Sequence, residues 1–102
     1  MPRRQPQFSA ADPLFDAKAV ATLDLHGFPA GEAEAALKAF LETWKTRAPG
    51  AVVHVITGRG RGSKGAPILR PLVRRVLRNL PAGTIREFAL TANEGGYRVR
   101  LQ

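Results

Sequence analysis

The chain contains no cysteine in its 102 residues, which excludes disulfides, thiolate nucleophiles, zinc fingers and iron–sulfur clusters. It has no apolar run approaching the roughly 20 residues needed to span a bilayer. The opening MPRRQPQFSAADPLF is basic but offers no apolar stretch for a signal peptide, so a cytoplasmic protein is expected. Acidic residues are also scarce, and unevenly so. Against 16 Lys and Arg stand only 8 Asp and Glu, a net charge of +8. Residues 1–57 balance six basic against six acidic side chains, whereas residues 58–102 hold ten basic ones, nine of them Arg, and only Glu87 and Glu94. The whole excess lies in the second part. A field so concentrated favours a polyanion such as nucleic acid, and Arg suits bidentate phosphate contacts. The plainer alternative is a solubilising surface.

What is present fits a single domain with one modest core, since 44% of the residues are apolar. Residues 1–19, punctuated by Pro2, Pro6 and Pro13, lack sustained periodicity and read as a flexible N-terminal arm before a domain over 20–102. Within the arm, Phe8, Leu14 and Phe15 are candidates for local docking. VATLDLH (20–26) reads as a strand closed by Gly27. Ala33, Ala36, Leu37, Phe40, Leu41 and Trp44 then form one face of a helix over 31–47, with Glu34, Lys38 and Glu42 on the other. Pro49 and Gly50 stop it. AVVHVIT (51–57) has the near-continuous apolar pattern of a strand buried on both faces.

A second helix is expected over about 67–80, its apolar stripe running from Ile68 and Leu69 to Leu80. Arg70, Arg74 and Arg78 form a basic ridge at i, i+4, i+8, with Arg75 beside it. Pro71 either marks the true first turn or costs the helix a hydrogen bond. TIREFAL (84–90) and YRVRLQ (97–102) complete the order as two strands joined through Asn93-Glu94-Gly95-Gly96. The predicted fold is a two-layer α/β sandwich, β-α-β-α-β-β, with a four-stranded mixed sheet and both helices on one face. In that arrangement the ends of the first two strands share one rim, which makes His26 a neighbour of the segment 58–65.

Three groups of residues carry candidate chemistry. Gly58, Gly60, Gly62 and Gly65, interleaved with Arg59, Arg61 and Lys64, lead into a helix N-terminus, a combination suited to phosphate. A flexible connector is the alternative. The GxGxxG match through Gly60, Gly62 and Gly65 is weak, because it follows the second strand of one small sheet, and no Walker A triplet occurs. Asp24 and His26, two apart at a strand end, pair a proton-exchanging imidazole with a carboxylate that orients it or binds a cation. A strand-end histidine otherwise serves as a structural hydrogen-bonding group. The arginine ridge of the second helix, extended by Arg98 and Arg100, suits a nucleic-acid backbone, against a merely solvated face. His54, inside the apolar strand, reads as a core or sheet-face residue.

LDLHG (23–27), the helix EAEAALKAFLETW, VITGRG (55–60) and ILRPLVRRVL (68–77) together closely resemble the small MutS-related (Smr) domain family. The resemblance covers roughly residues 20–102 and implies a fold similar to the C-terminal domain of the third translation initiation factor. It further implies endonuclease activity, nicking DNA or cutting RNA, including messages on stalled ribosomes. The family's Asp-Leu-His motif falls on Asp24, Leu25 and His26, and its Gly-Lys/Arg-Gly motif on Gly58, Arg59 and Gly60. Ala30-Gly31 stands where a capping Thr or Ser is common, and the ANEGGYRVRL hairpin is shorter than the usual Gly-Gly-x-Gly version.

On this reading His26 is general base or acid, Asp24 orients it, and Arg59 with the Gly58 and Gly60 amides stabilises developing phosphorane charge. Arg61, Lys64, Arg70, Arg74, Arg78 and Arg98 are the expected nucleic-acid contacts. If a cation takes part, Mg²⁺ on Asp24 is the natural choice, although one carboxylate makes a thin site. The competing reading is a non-catalytic module that binds nucleic acid or the ribosome through the same surface. A small-molecule enzyme ranks third. A monomer is expected.

Overall fold

The computed structural model describes residues 14–58, 66–92 and 95–102. Its elements are β1 (Ala19–Asp24), α1 (Ala30–Arg47), β2 (Val52–Ile56), α2 (Ala66–Arg78), β3 (Ile85–Leu90) and β4 (Gly96–Leu101). The expected α/β sandwich is therefore present. The four strands form one sheet in the order β1-β2-β4-β3. β1 and β2 pair in parallel, while β4 runs antiparallel to both of its neighbours.

Burial explains why the last strand takes a central place. In β4 only Arg98 is not fully buried, whereas β1 alternates between half-buried and exposed, and β3 exposes Arg86, Glu87 and Leu90. A strand with little to gain from solvent goes inside, and those with polar positions become edges. β2 and β3, although joined through a helix, consequently do not pair with each other.

The core lies between one sheet face and the two helices. Val53, Val55, Tyr97, Val99 and Leu101 of the sheet meet Ala33, Leu37 and Leu41 of α1 and Leu69, Leu72, Val73, Val76 and Leu77 of α2. The three α1 residues sit at four-residue intervals, as the stripe requires. Fully burying each large aliphatic side chain contributes roughly 1.5–3 kcal/mol. α1 starts without a side-chain cap, since its N-cap residue is Pro29. α2 begins at Ala66, so Pro71 lies inside it and removes the amide that would bond four residues back.

On the opposite sheet face, where residues 14–17 lie against Arg98, two expectations need correction. Alternation predicts that Arg98 and Arg100 extend a basic surface. The Arg98 guanidinium instead donates through Nε and Nη2 to the Leu14 carbonyl, both at 3.3 Å, and through Nη2 to the Ala17 carbonyl. The Leu14 side chain is itself buried. Arg100 is 3% exposed, pairing with Glu87 at 3.3 Å and donating to the Gly50 carbonyl at 3.0 Å. Both side chains do lie opposite the core face, but that face is itself partly covered. His54 lies there too, in register with Thr22 and Arg98.

Candidate functional site

β1 ends two residues sooner than its apolar pattern suggests, and the cause is local. The Asp24 carboxylate accepts the His26 backbone N–H through Oδ1 at 3.1 Å, an Asx turn that takes the chain out of the ladder. Leu25 makes one last sheet bond, donating its N–H to the Ile56 carbonyl at 2.8 Å, and its side chain enters the core. Phe28 N–H then returns to the Leu25 carbonyl at 2.9 Å with Gly27 at φ +83°. This closes a four-residue turn with His26 at its second position and a glycine at the third, where φ is positive.

Asp24 and His26 therefore meet across this turn rather than along a strand. His26 Nδ1 stands 2.7 Å from the same Asp24 Oδ1. The side chains are 69% and 48% exposed, so the pair faces solvent. The hydrogen bond from His26 holds the Asp24 carboxyl below its ordinary value, outweighing a smaller opposing effect of desolvation. An ionised carboxylate only accepts, so Nδ1 carries the hydrogen of this contact. In the neutral ring Nε2 is then an unprotonated base. That is the tautomer a proton acceptor needs.

The neighbouring segment leaves the sheet at the same edge. Thr57 is fully buried and its N–H donates to the Gly95 carbonyl at 2.9 Å. Its hydroxyl reaches the Gly58 and Gly95 carbonyls at 3.2 and 3.4 Å. Gly58 adopts φ +98° and also donates its N–H to Gly95, at 3.1 Å. The expectation that the Gly58 amide faces a ligand is thereby corrected. It is committed to the β3–β4 turn, and the glycine serves the backbone conformation. Arg59, Gly60, Arg61 and Lys64 lie outside the described residues.

The ridge on α2 is real but uneven. Arg74 and Arg78 are exposed, with Arg75 beside them, while Arg70 is half-buried. Shallow grooves flank the ridge. One is lined by Arg70, Pro71, Arg74, Leu90 and Tyr97, and the other by Pro71, Arg74, Arg75, Arg78 and Asn79. Tyr97 ties α2 to the sheet by donating its hydroxyl to the Arg70 carbonyl at 3.1 Å. Burial keeps this phenol protonated by pushing its pKa up, against a smaller opposite effect of Arg74 and Arg70.

The structure thus brings Asp24, His26 and Gly58 to one rim, sets Arg70, Arg74 and Arg78 along α2, and places Arg98 on the sheet face away from the helices, bonded to residues 14 and 17. Sequence reasoning missed Thr57, although a β-branched polar residue closing an apolar strand just before a glycine is a readable signal. Among the described residues, no three His, Asp or Glu side chains gather to hold a metal ion. Among the described residues, Asp24, with Oδ1 engaged twice, is joined by no further carboxylate cluster that would complete a Mg²⁺ site. Nor is any helix of the described residues long and apolar enough to cross a membrane.

Comparison with the curated proteins gives no match. The family model of the Smr domain does match, over residues 23–97. That span runs from the strand carrying Asp24 to the tyrosine anchoring α2, and the chain belongs to the Smr domain family.

Proposed function

We propose that this protein is an endonuclease that cleaves phosphodiester bonds in RNA or nicks branched or single-stranded DNA. The carrying observation is the solvent-facing Asp24–His26 pair, held at 2.7 Å on the rim from which residues 57–58 also depart. Family membership supports a nucleic-acid substrate, and the exposed Arg74, Arg75 and Arg78 supply a cationic approach to it.

In this reading Asp24 fixes the ring and its tautomer, and His26 Nε2 takes the proton from the attacking oxygen. On RNA that oxygen is the neighbouring 2′-hydroxyl. It bonds to phosphorus as the bond to the 5′-oxygen breaks, and that oxygen takes a proton from solvent, giving a cyclic phosphate and a 5′-hydroxyl. On DNA, water takes the place of the 2′-hydroxyl. Arg59, next after the rim, is assigned to the charge that builds on the phosphate. The reading further includes a monomer acting in the cytoplasm, with message on the ribosome as one substrate.

The test is an end-labelled cleavage assay on single-stranded RNA, single-stranded DNA and branched DNA, with wild type and His26→Ala purified side by side, with and without EDTA. Cleavage lost in the variant with affinity retained is the expected result. Binding without cleavage by the wild type would instead establish a non-catalytic binding module.

A further inference from the structure

The reading above leaves Phe28 unexplained. It is a large apolar side chain, 38% exposed, two residues from His26. Its backbone is fixed from both sides. Its N–H closes the turn onto the Leu25 carbonyl, Gly27 holds φ +83°, and Pro29 follows at φ −63°. A residue before proline is confined to extended conformations, so Phe28 has little freedom of its own. An aromatic side chain whose backbone is fixed at the same turn as an exposed histidine is well placed to meet whatever that histidine meets.

We infer that Phe28 is a stacking platform for the base of the nucleotide beside the phosphate addressed by His26. Consecutive Cα atoms lie about 3.8 Å apart, so His26 and Phe28 are at most about 7.6 Å apart at their backbones. That is within the span of one nucleotide, from phosphate to base. Stacking on aromatic rings is the common means of holding unpaired bases, and it tolerates any base because each has a π-face. The residue thus selects for an unpaired nucleotide at the rim, where the arginines of α2 select only for charge. The competing explanation is local. An apolar residue before an N-cap often packs on the fourth helical residue, here Ala33, which is buried. A leucine would serve that purpose equally well, and this separates the two explanations.

The inference rests on the nucleic-acid reading but not on catalysis, so it is tested by binding in a His26→Ala background. Fluorescence anisotropy with a labelled single-stranded oligonucleotide is measured for that background alone and with Phe28→Leu or Phe28→Trp added, with thermal melts alongside. The expected result is affinity weakened roughly 5- to 100-fold by Phe28→Leu and restored by Phe28→Trp, with melting temperatures unchanged. An oligonucleotide made abasic throughout should bind equally with and without the Phe28→Leu change, having nothing to stack. Equal affinity of the Phe28→Leu variant for the intact oligonucleotide overturns the inference. So does equal weakening by Phe28→Leu and Phe28→Trp, which would mark a structural role. Failure of the wild type to cut, with the effect of Phe28→Leu on binding intact, supports the platform and refutes only the nuclease. Failure to bind any single strand overturns the platform, and only failure to bind branched DNA as well refutes the nuclease too.

Discussion

Replacing Gly96 by alanine tests whether the rim depends on a close approach of two backbones. Gly96 opens β4 opposite Ile56 of β2. A Cβ built there would stand well inside 3.0 Å of the Val55 carbonyl oxygen, and 3.1 Å from both the Val55 carbonyl carbon and the Ile56 Cα. Every obstacle is backbone, so no side chain can swing away, and the strands must part at a paired position. Overpacking typically costs about 1–3 kcal/mol, and the absence of a soft neighbour places this case near 3. With a urea m-value near 1.5 kcal/mol/M, the midpoint should fall by about 2 M. The assay is urea unfolding followed by far-ultraviolet circular dichroism. Gly31→Ala is the control, because Gly31 lies in α1, needs no positive φ and has open space around its missing Cβ. That substitution should be neutral or stabilise by roughly 0.5–1 kcal/mol. A Gly96→Ala midpoint within about 0.3 M of wild type would refute the reasoning.

Three further outcomes are expected. Asp24→Asn should slow cleavage by about 10²- to 10⁴-fold in the end-labelled assay while leaving oligonucleotide affinity equal or higher, since a negative charge is removed; an unchanged rate would mean that the carboxylate does not orient His26. Burial, with repulsion from Arg98, holds His54 below its ordinary pKa of 6.5, so the unfolded chain takes up a proton first as the pH falls through that value. Stability should therefore be greater at about pH 7.5 than at about pH 5.5 by urea midpoint, and His54→Gln should reduce that difference; an undiminished difference would place the effect elsewhere. Arg98→Ala releases the Leu14 and Ala17 carbonyls, and the loss of charged hydrogen bonds of about 1.5–3 kcal/mol should speed tryptic cutting after Lys18. Mass spectrometry would show a cutting rate equal to wild type if the arginine does not hold this segment.

The six elements and their order are legible because each declares its own period. The four-residue recurrence of Ala33, Leu37 and Leu41, and the two-residue alternation of Tyr97, Val99 and Leu101, both end on the observed core. Alternation names two faces but does not say what lies on the second, so Arg98 and Arg100 read as surface when one grips carbonyls and the other is enclosed. Strand order is hidden for a similar reason: it follows from comparing the burial of whole strands, not from any one of them. At the site, the residue types of Asp24 and His26 are readable, but their geometry is not. A strand pattern puts them on one face by alternation, whereas a single carboxylate oxygen bonding the His26 amide ends the strand and makes the contact through a turn. The use of the Gly58 amide depends on Gly95, a partner 37 residues away in the chain, and no local pattern announces it.

The central place of β4 has a bearing on when the protein can work. Its partners on either side, β2 and β3, are both made before it, and the pairing of Val53 with Val99 closes a loop of 45 intervening residues. Contacts of such range make folding slow compared with helical domains of this size. Until residues 96–101 emerge, β2 lacks one neighbour, and Thr57 and Gly58 lack the Gly95 carbonyl that both their amides use. A nascent chain thus carries Asp24 and His26 into solution long before it carries the rim that arranges the residues around them. The cleavage proposed for this rim would therefore have to wait until β4 is in place.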